Sequence, residues 1–99
     1  MNRVLFHHEA EAELLAASEY YESRRRGLGL EFLSEVRRAT KAIQDYSKLG
    51  HRFSRRLRRV LVIRFPYGLL YRVEPEHIYV VDVAHVRRRP GYWRRDGRV

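Results

Sequence analysis

The chain has no cysteine, which excludes disulfide scaffolds, thiolate nucleophiles and cysteine-based metal sites together. Its single methionine is Met1, and no apolar run approaches the roughly 20 residues that span a bilayer. The opening "MNRVLFHHEAE" is not a secretory signal, so an unexported, cytoplasmic protein with no membrane partner is expected. No glycine-rich phosphate loop occurs, because "GLG" (27–29) follows no strand. A nucleophile elbow is missing, and so is a pair of isolated acids in a catalytic setting. His7 and His8 lack a third ligand at metal spacing, and capping or solvation is their expected role. Neither metal nor cofactor is expected. Lysine is also scarce: of 21 basic residues only Lys41 and Lys48 are lysine, which leaves 19 arginines.

What is present is a chain of 99 residues, 44% hydrophobic and 12% aromatic, which reads as one globular domain over 1–99. Net charge is +9, and its distribution is uneven. Residues 1–50 carry eight basic and eight acidic side chains; residues 51–99 carry thirteen and four. Arginine grips phosphate and carboxylate through a planar fork and stacks on flat rings, as lysine does not. Nucleic acid or an acidic protein segment is therefore the expected partner class. Codon usage that fills a solvated surface with arginine is the plainer alternative.

The periodicity gives the architecture. "RVLFH" (3–7) alternates and reads as a short strand. From Glu9 the pattern turns helical, with Ala10, Leu14, Ala17 and Tyr21 on one stripe, glutamates at the start and Arg24–Arg26 at the end. A second helix after "GLG" repeats the stripe with Phe32, Val36, Ala39 and Ile43. These stripes are core, and the pair is an antiparallel αα-hairpin. "SKLGHRFSRR" (47–56) reads as a basic loop. Strands follow at 57–65, 69–73 and 78–86, with turns at "PYG" and "EPEH", and short links imply an antiparallel meander. The expected fold is α+β, ordered β-α-α-β-β-β, an antiparallel sheet with the αα-hairpin packed on one face.

The last stretch, "HVRRRPGYWRRDG" (85–97), sets the only tryptophan inside a block of arginine. If the helices cover one sheet face, arginines 52, 55, 56, 58 and 59 can border the open side. Arginines 87, 88, 89, 94 and 95 would border it from the other, making a basic groove with Tyr92 and Trp93 available for stacking. Trp93 folded back onto the sheet is the structural alternative. His85 shares simple strand alternation with Tyr79, Val81 and Val83; as a histidine it can move protons near neutral pH, or be buried and hydrogen-bonded. Arg72, on the face of Gly68 and Leu70, can line the groove or pair with Glu74 or Asp82. Asp82 in an apolar strand requires a partner if buried.

Three segments carry a family resemblance: "YYESRRRGLGLEFLSEV", "FPYGLLYRV" and "VVDVAHVRRRPGYW". In order, spacing and chain length the sequence resembles the RelE/ParE superfamily of toxins from type II toxin–antitoxin modules, the plasmid-stabilisation type. The resemblance implies a small growth-inhibiting toxin neutralised by a cognate antitoxin whose C-terminal segment wraps around it. ParE-like members poison DNA gyrase and carry no known hydrolytic site. RelE-like members are metal-independent endoribonucleases that cut mRNA on the ribosome, and they carry an arginine after the aromatic of the "PYG" turn, where this chain has Gly68. The ParE-like, non-catalytic reading is therefore preferred. For the nuclease reading the resemblance leaves Arg89 as phosphate stabiliser with His85 and Tyr92 as proton carriers. The target- or anion-binding set is Arg55, Arg56, Arg72, Arg87, Arg88, Arg89 and Trp93.

Overall fold

The computed structural model describes residues 3–87, so Arg88, Arg89, Tyr92 and Trp93 lie outside the described residues. The elements are β1 (Arg3–Phe6), α1 (His8–Arg24), α2 (Leu28–Asp45), β2 (His51–Arg52), β3 (Arg58–Leu61), β4 (Tyr67–Val73) and β5 (His77–His85).

The helical hairpin is set by its caps. His7 is the N-cap of α1, its Nδ1 accepting from the Glu9 backbone N–H at 3.0 Å. At the link, Gly27 takes φ +87°, a conformation that costs an L side chain energy. The Glu22 carboxylate reaches across the link and accepts from the N–H groups of Gly27 and Gly29, so it caps the start of α2. Gly29 allows the helices to touch: a Cβ there would lie 2.7 Å from the Ser18 carbonyl oxygen.

The sheet runs β1-β5-β4-β3-β2. From β2 to β5 it is the antiparallel meander that short links imply. β1 alters the picture of a wholly antiparallel sheet. It pairs with β5 in parallel, Arg3 opposite His77 and Phe6 opposite Val80, so the sheet is mixed. A parallel neighbour needs a long crossover, which the αα-hairpin and the meander together supply. The 47–56 loop also contains the two-residue β2, whose residues 51 and 52 pair with 59 and 58.

The core lies between the hairpin and one sheet face. The stripe residues Phe32, Val36, Ala39 and Ile43 of α2 are all buried, as are Ala10 and Ala17 of α1; Leu14 and Tyr21 are partly covered. Leu69, Tyr71, Ile78, Val80 and Val83 come from the sheet to meet them. The opposite face holds a smaller cluster of Leu57, Leu70 and Val81 with Tyr79.

A bulge corrects the alternation expected for β5. Leu70 pairs with Asp82 but Tyr71 pairs with Val80, which leaves Val81 as an extra residue. Tyr79 and Val81 therefore sit in the far-face cluster while Val83 sits in the helix-side core. His85 follows Val83, not Tyr79. The Glu13 carboxylate of α1 accepts from the Val83 N–H at 3.1 Å, satisfying a donor beside the bulge.

The β3–β4 turn is clasped to α2. Arg64 has φ 73° and directs its guanidinium to Glu31 at 2.9 Å, and Arg25 binds the other Glu31 oxygen at 3.1 Å. Hydrogen bonds from Arg64 first, then Arg25, hold the Glu31 carboxyl below its ordinary value. A depressed carboxyl contributes stability above its unfolded-state pKa and loses it as pH falls through the folded one. The stability gap between the wild type and Glu31→Gln should therefore shrink between about pH 6 and about pH 3. Urea unfolding across that range measures it; a constant gap would mean that the clasp does not hold in solution.

Candidate anion-binding site

A cavity of about 280 Å³ opens where the β2–β3 hairpin meets the end of β4. Its lining is Lys48, Arg52, Ser54, Arg55, Arg56, Leu57 and Arg58 on one side and Arg72, Val73 and Glu74 on the other. The hairpin is tight because the N–H groups of Phe53 and Ser54 both donate to the Leu57 carbonyl, at 2.8 and 3.2 Å. That turn projects the guanidiniums of Arg55 and Arg56, while Arg52 donates to the Arg55 carbonyl at 3.2 Å.

The floor is fixed from below. Buried Tyr71 donates its hydroxyl proton to the Ser47 carbonyl at 2.8 Å and accepts from the Gly50 N–H at 2.9 Å. Burial pushes the Tyr71 phenol above its ordinary pKa, so it stays a neutral donor. Arg58 donates to the carbonyls of Gly50 and Lys48, at 2.9 and 3.2 Å. The loop carrying Lys48 is thus held by one phenol and one guanidinium.

Arg25, Arg38, Lys41 and Arg64, around the helices and the turn they hold, each have a carboxylate partner. In the cavity Arg72 pairs with Glu74 and lies 4.6 Å from the centre of the Tyr79 ring. The Arg72 hydrogen bond holds the Glu74 carboxyl below its ordinary value. Lys48, Arg52, Arg55, Arg56 and Arg58 form no ion pair among the described residues; Arg52 and Arg58 are held by backbone carbonyls instead. Cations oriented by neutral groups keep their full charge for a ligand.

Of the sequence-expected set, Arg55, Arg56 and Arg72 come together here. Arg59 does not join them. Its guanidinium lies 5.7 Å from the Phe53 ring centre, and its stem crosses Gly68, where a Cβ would meet Arg59 Cδ at 3.1 Å. Arg87 sits at the other end of the sheet: the Val86 N–H donates to the Pro66 carbonyl, six residues before Arg72. At about 3.3 Å per residue that is a separation on the order of 20 Å along the strand. Arg88, Arg89, Tyr92 and Trp93 lie outside the described residues, and with them the expected far wall of a groove. Lys48 and Ser54 had no spacing signal of their own, and Tyr71 reads in the sequence as an ordinary strand residue.

His85 occupies a different hollow, with Tyr20, Tyr21, Pro66 and Tyr67. Its ring stands edge-on to Tyr67, with centroids 5.5 Å apart. Its Nδ1 accepts from the Arg87 N–H at 3.1 Å, which places the proton of the neutral ring on Nε2. Among the described residues no three His, Asp or Glu side chains are placed to hold a metal ion, and no helix is long and apolar enough to cross a membrane.

A helical hairpin packed on one face of a sheet is the α+β arrangement that the sequence implies for a RelE/ParE-type toxin, with five strands and a parallel β1 in place of a wholly antiparallel sheet. The profile of the family described as ParE toxin of type II toxin-antitoxin system, parDE, matches residues 4–90, and the chain belongs to that family. Its fold is similar to a solved structure described as the chromosomal ParDE TA system from P. aeruginosa. The TM-score is 0.72 at 19% identity, covering 86% of this chain and 96% of that one. No curated protein sequence matches.

Proposed function

We propose that this toxin arrests growth by acting on DNA gyrase in the cytoplasm, without hydrolytic chemistry of its own, and that a cognate antitoxin holds it inactive by wrapping around it. The observation that carries the reading is the family match over residues 4–90. The environment of Gly68 adds to it. The arginine of RelE-like nucleases would have to enter a place already crossed by the Arg59 stem. Net charge of +9 favours an acidic antitoxin segment when the toxin is neutralised.

Expression alone should stop colony growth, and co-expression of a neighbouring small open reading frame should restore it. Added to purified gyrase and relaxed plasmid, the protein should block supercoiling while leaving a translating ribosome extract active. Full supercoiling beside normal growth would remove the reading.

A second reading keeps Arg89, His85 and Tyr92 as a metal-independent ribosome-dependent nuclease. The place of His85 in a surface hollow with Tyr20 and Tyr67 favours it, because the Arg87 N–H engages Nδ1 and orients the ring. Cuts in ribosome-bound mRNA that disappear in Arg89→Ala would decide for it.

A further inference from the structure

Five cations in the cavity between the β2–β3 hairpin and the end of β4 form no ion pair among the described residues. Like charges gathered about one carboxylate, Glu74, which Arg72 already holds, repel one another, and a folded chain tolerates that only at a cost. We propose that this cavity is a docking site for the phosphodiester backbone of duplex DNA, with Arg52, Arg55 and Arg56 as the phosphate-binding groups.

Three observations select this ligand. First, two of the cations are held in place before anything binds, since Arg52 is anchored on the Arg55 carbonyl and Arg58 on the Lys48 and Gly50 carbonyls. A preset guanidinium fork matches phosphate geometry and loses little entropy on binding. Second, the lining is charged where a protein interface would be apolar. Leu57 is buried, so among the described residues Val73 is the only apolar side chain the cavity exposes. The centre of a protein–protein interface is depleted of charge, whereas a DNA-binding surface is positive and wet. An acidic peptide fits less well. Third, among the described residues no aromatic ring lines the cavity. Proteins that hold unpaired strands stack bases on aromatic platforms, so a surface that offers cations without rings reads the backbone of a duplex. Ser54, at the turn, adds a hydroxyl donor.

This site goes beyond the gyrase reading and is tested without gyrase, so failure of one leaves the other standing. The probe is a labelled duplex of about 20 base pairs, one to two helical turns, titrated with the purified full-length toxin between about 50 and 200 mM salt and followed by anisotropy. Arg55→Gln/Arg56→Gln should weaken binding about tenfold or more and reduce the slope of log K against log salt by about 2, since each lost phosphate contact removes about one unit. Arg37→Gln/Arg38→Gln, on the exposed side of α2, removes the same charge and should leave that slope nearly unchanged. Thermal melting checks that both variants are folded; Arg55 and Arg56 are exposed, so folding should be intact.

Equal losses in the two variants would mean that only total charge matters, and would overturn the site. Binding that ignores Arg55→Gln/Arg56→Gln would do the same. Tighter binding of single-stranded RNA or of polyglutamate, dependent on the same two arginines, would reassign the cavity to that ligand and overturn the duplex proposal.

Discussion

Replacing Phe32 by alanine should destabilise the protein by about 3–5 kcal/mol, the range for truncating a buried phenylalanine. Phe32 is fully buried, and its ring centre lies 5.2 Å from those of Tyr21, Phe65 and Tyr67 alike. Those three rings come from α1, the β3–β4 turn and the start of β4, so Phe32 joins four parts of the chain through one side chain. Edge-to-face and tilted ring pairs add about 0.5–1.5 kcal/mol beyond area burial, and three such pairs vanish together. A domain of this size has only about 5–15 kcal/mol in total, so the variant should sit near the limit of folding. Urea unfolding should show a lower midpoint with an unchanged m-value, and Phe32→Leu should recover most of the loss. A drop below about 1 kcal/mol in the alanine variant would contradict the packing described here.

Phe32 also shows why much of the fold was legible in the sequence. A helix buries every third or fourth residue, so the stripe from Phe32 to Ile43 states which side of α2 faces inward without any knowledge of what it meets. The same holds for Ala10 and Ala17. Pairing between distant segments leaves no such trace. Nothing in "RVLFH" distinguishes a parallel partner from an antiparallel one, and β1 lies beside β5 only because the crossover delivers it there. The bulge at Val81 is equally silent, yet it decides the side on which His85 stands. Arg64 at φ 73° reads as an ordinary strand residue until its contacts with Glu31 are seen.

The site divides along the same line. Arginine density marked the 52–59 segment, since charge is a local property of the sequence. The opposite wall depends on register. Arg72 reaches the cavity because Arg58 pairs with Tyr71, bringing the end of β4 beneath the hairpin. Arg87 is carried the other way because β5 is antiparallel to β4 and ends beside Tyr67. Arginines that look equivalent in composition are thus separated by strand direction. The part of the site furthest from sequence logic is its support. Tyr71 alternates with Leu70 like any strand residue, while its hydroxyl holds the backbone of a loop more than twenty residues earlier.

That support should fail in Gly50→Ala, with a loss of about 3 kcal/mol from overpacking and a broken buried hydrogen bond together. A Cβ at this buried position would lie 2.8 Å from both the Arg59 carbonyl oxygen and Tyr71 Oη. The carbonyl belongs to β3 and cannot yield without disturbing the sheet. The phenol cannot swing away without releasing Ser47 and Gly50. The remaining escape is for the loop to lift, which detaches Arg58 from the Gly50 and Lys48 carbonyls and loosens the cavity floor. Tyr71→Phe offers the comparison: it removes the hydroxyl without adding bulk and should cost about 1–2 kcal/mol. Chemical denaturation separates the two effects, and protection of the Gly50 amide from hydrogen exchange should fall in both variants. Wild-type stability in Gly50→Ala would mean that the loop is not wedged between β3 and Tyr71, and the cations above it would then lack a fixed base.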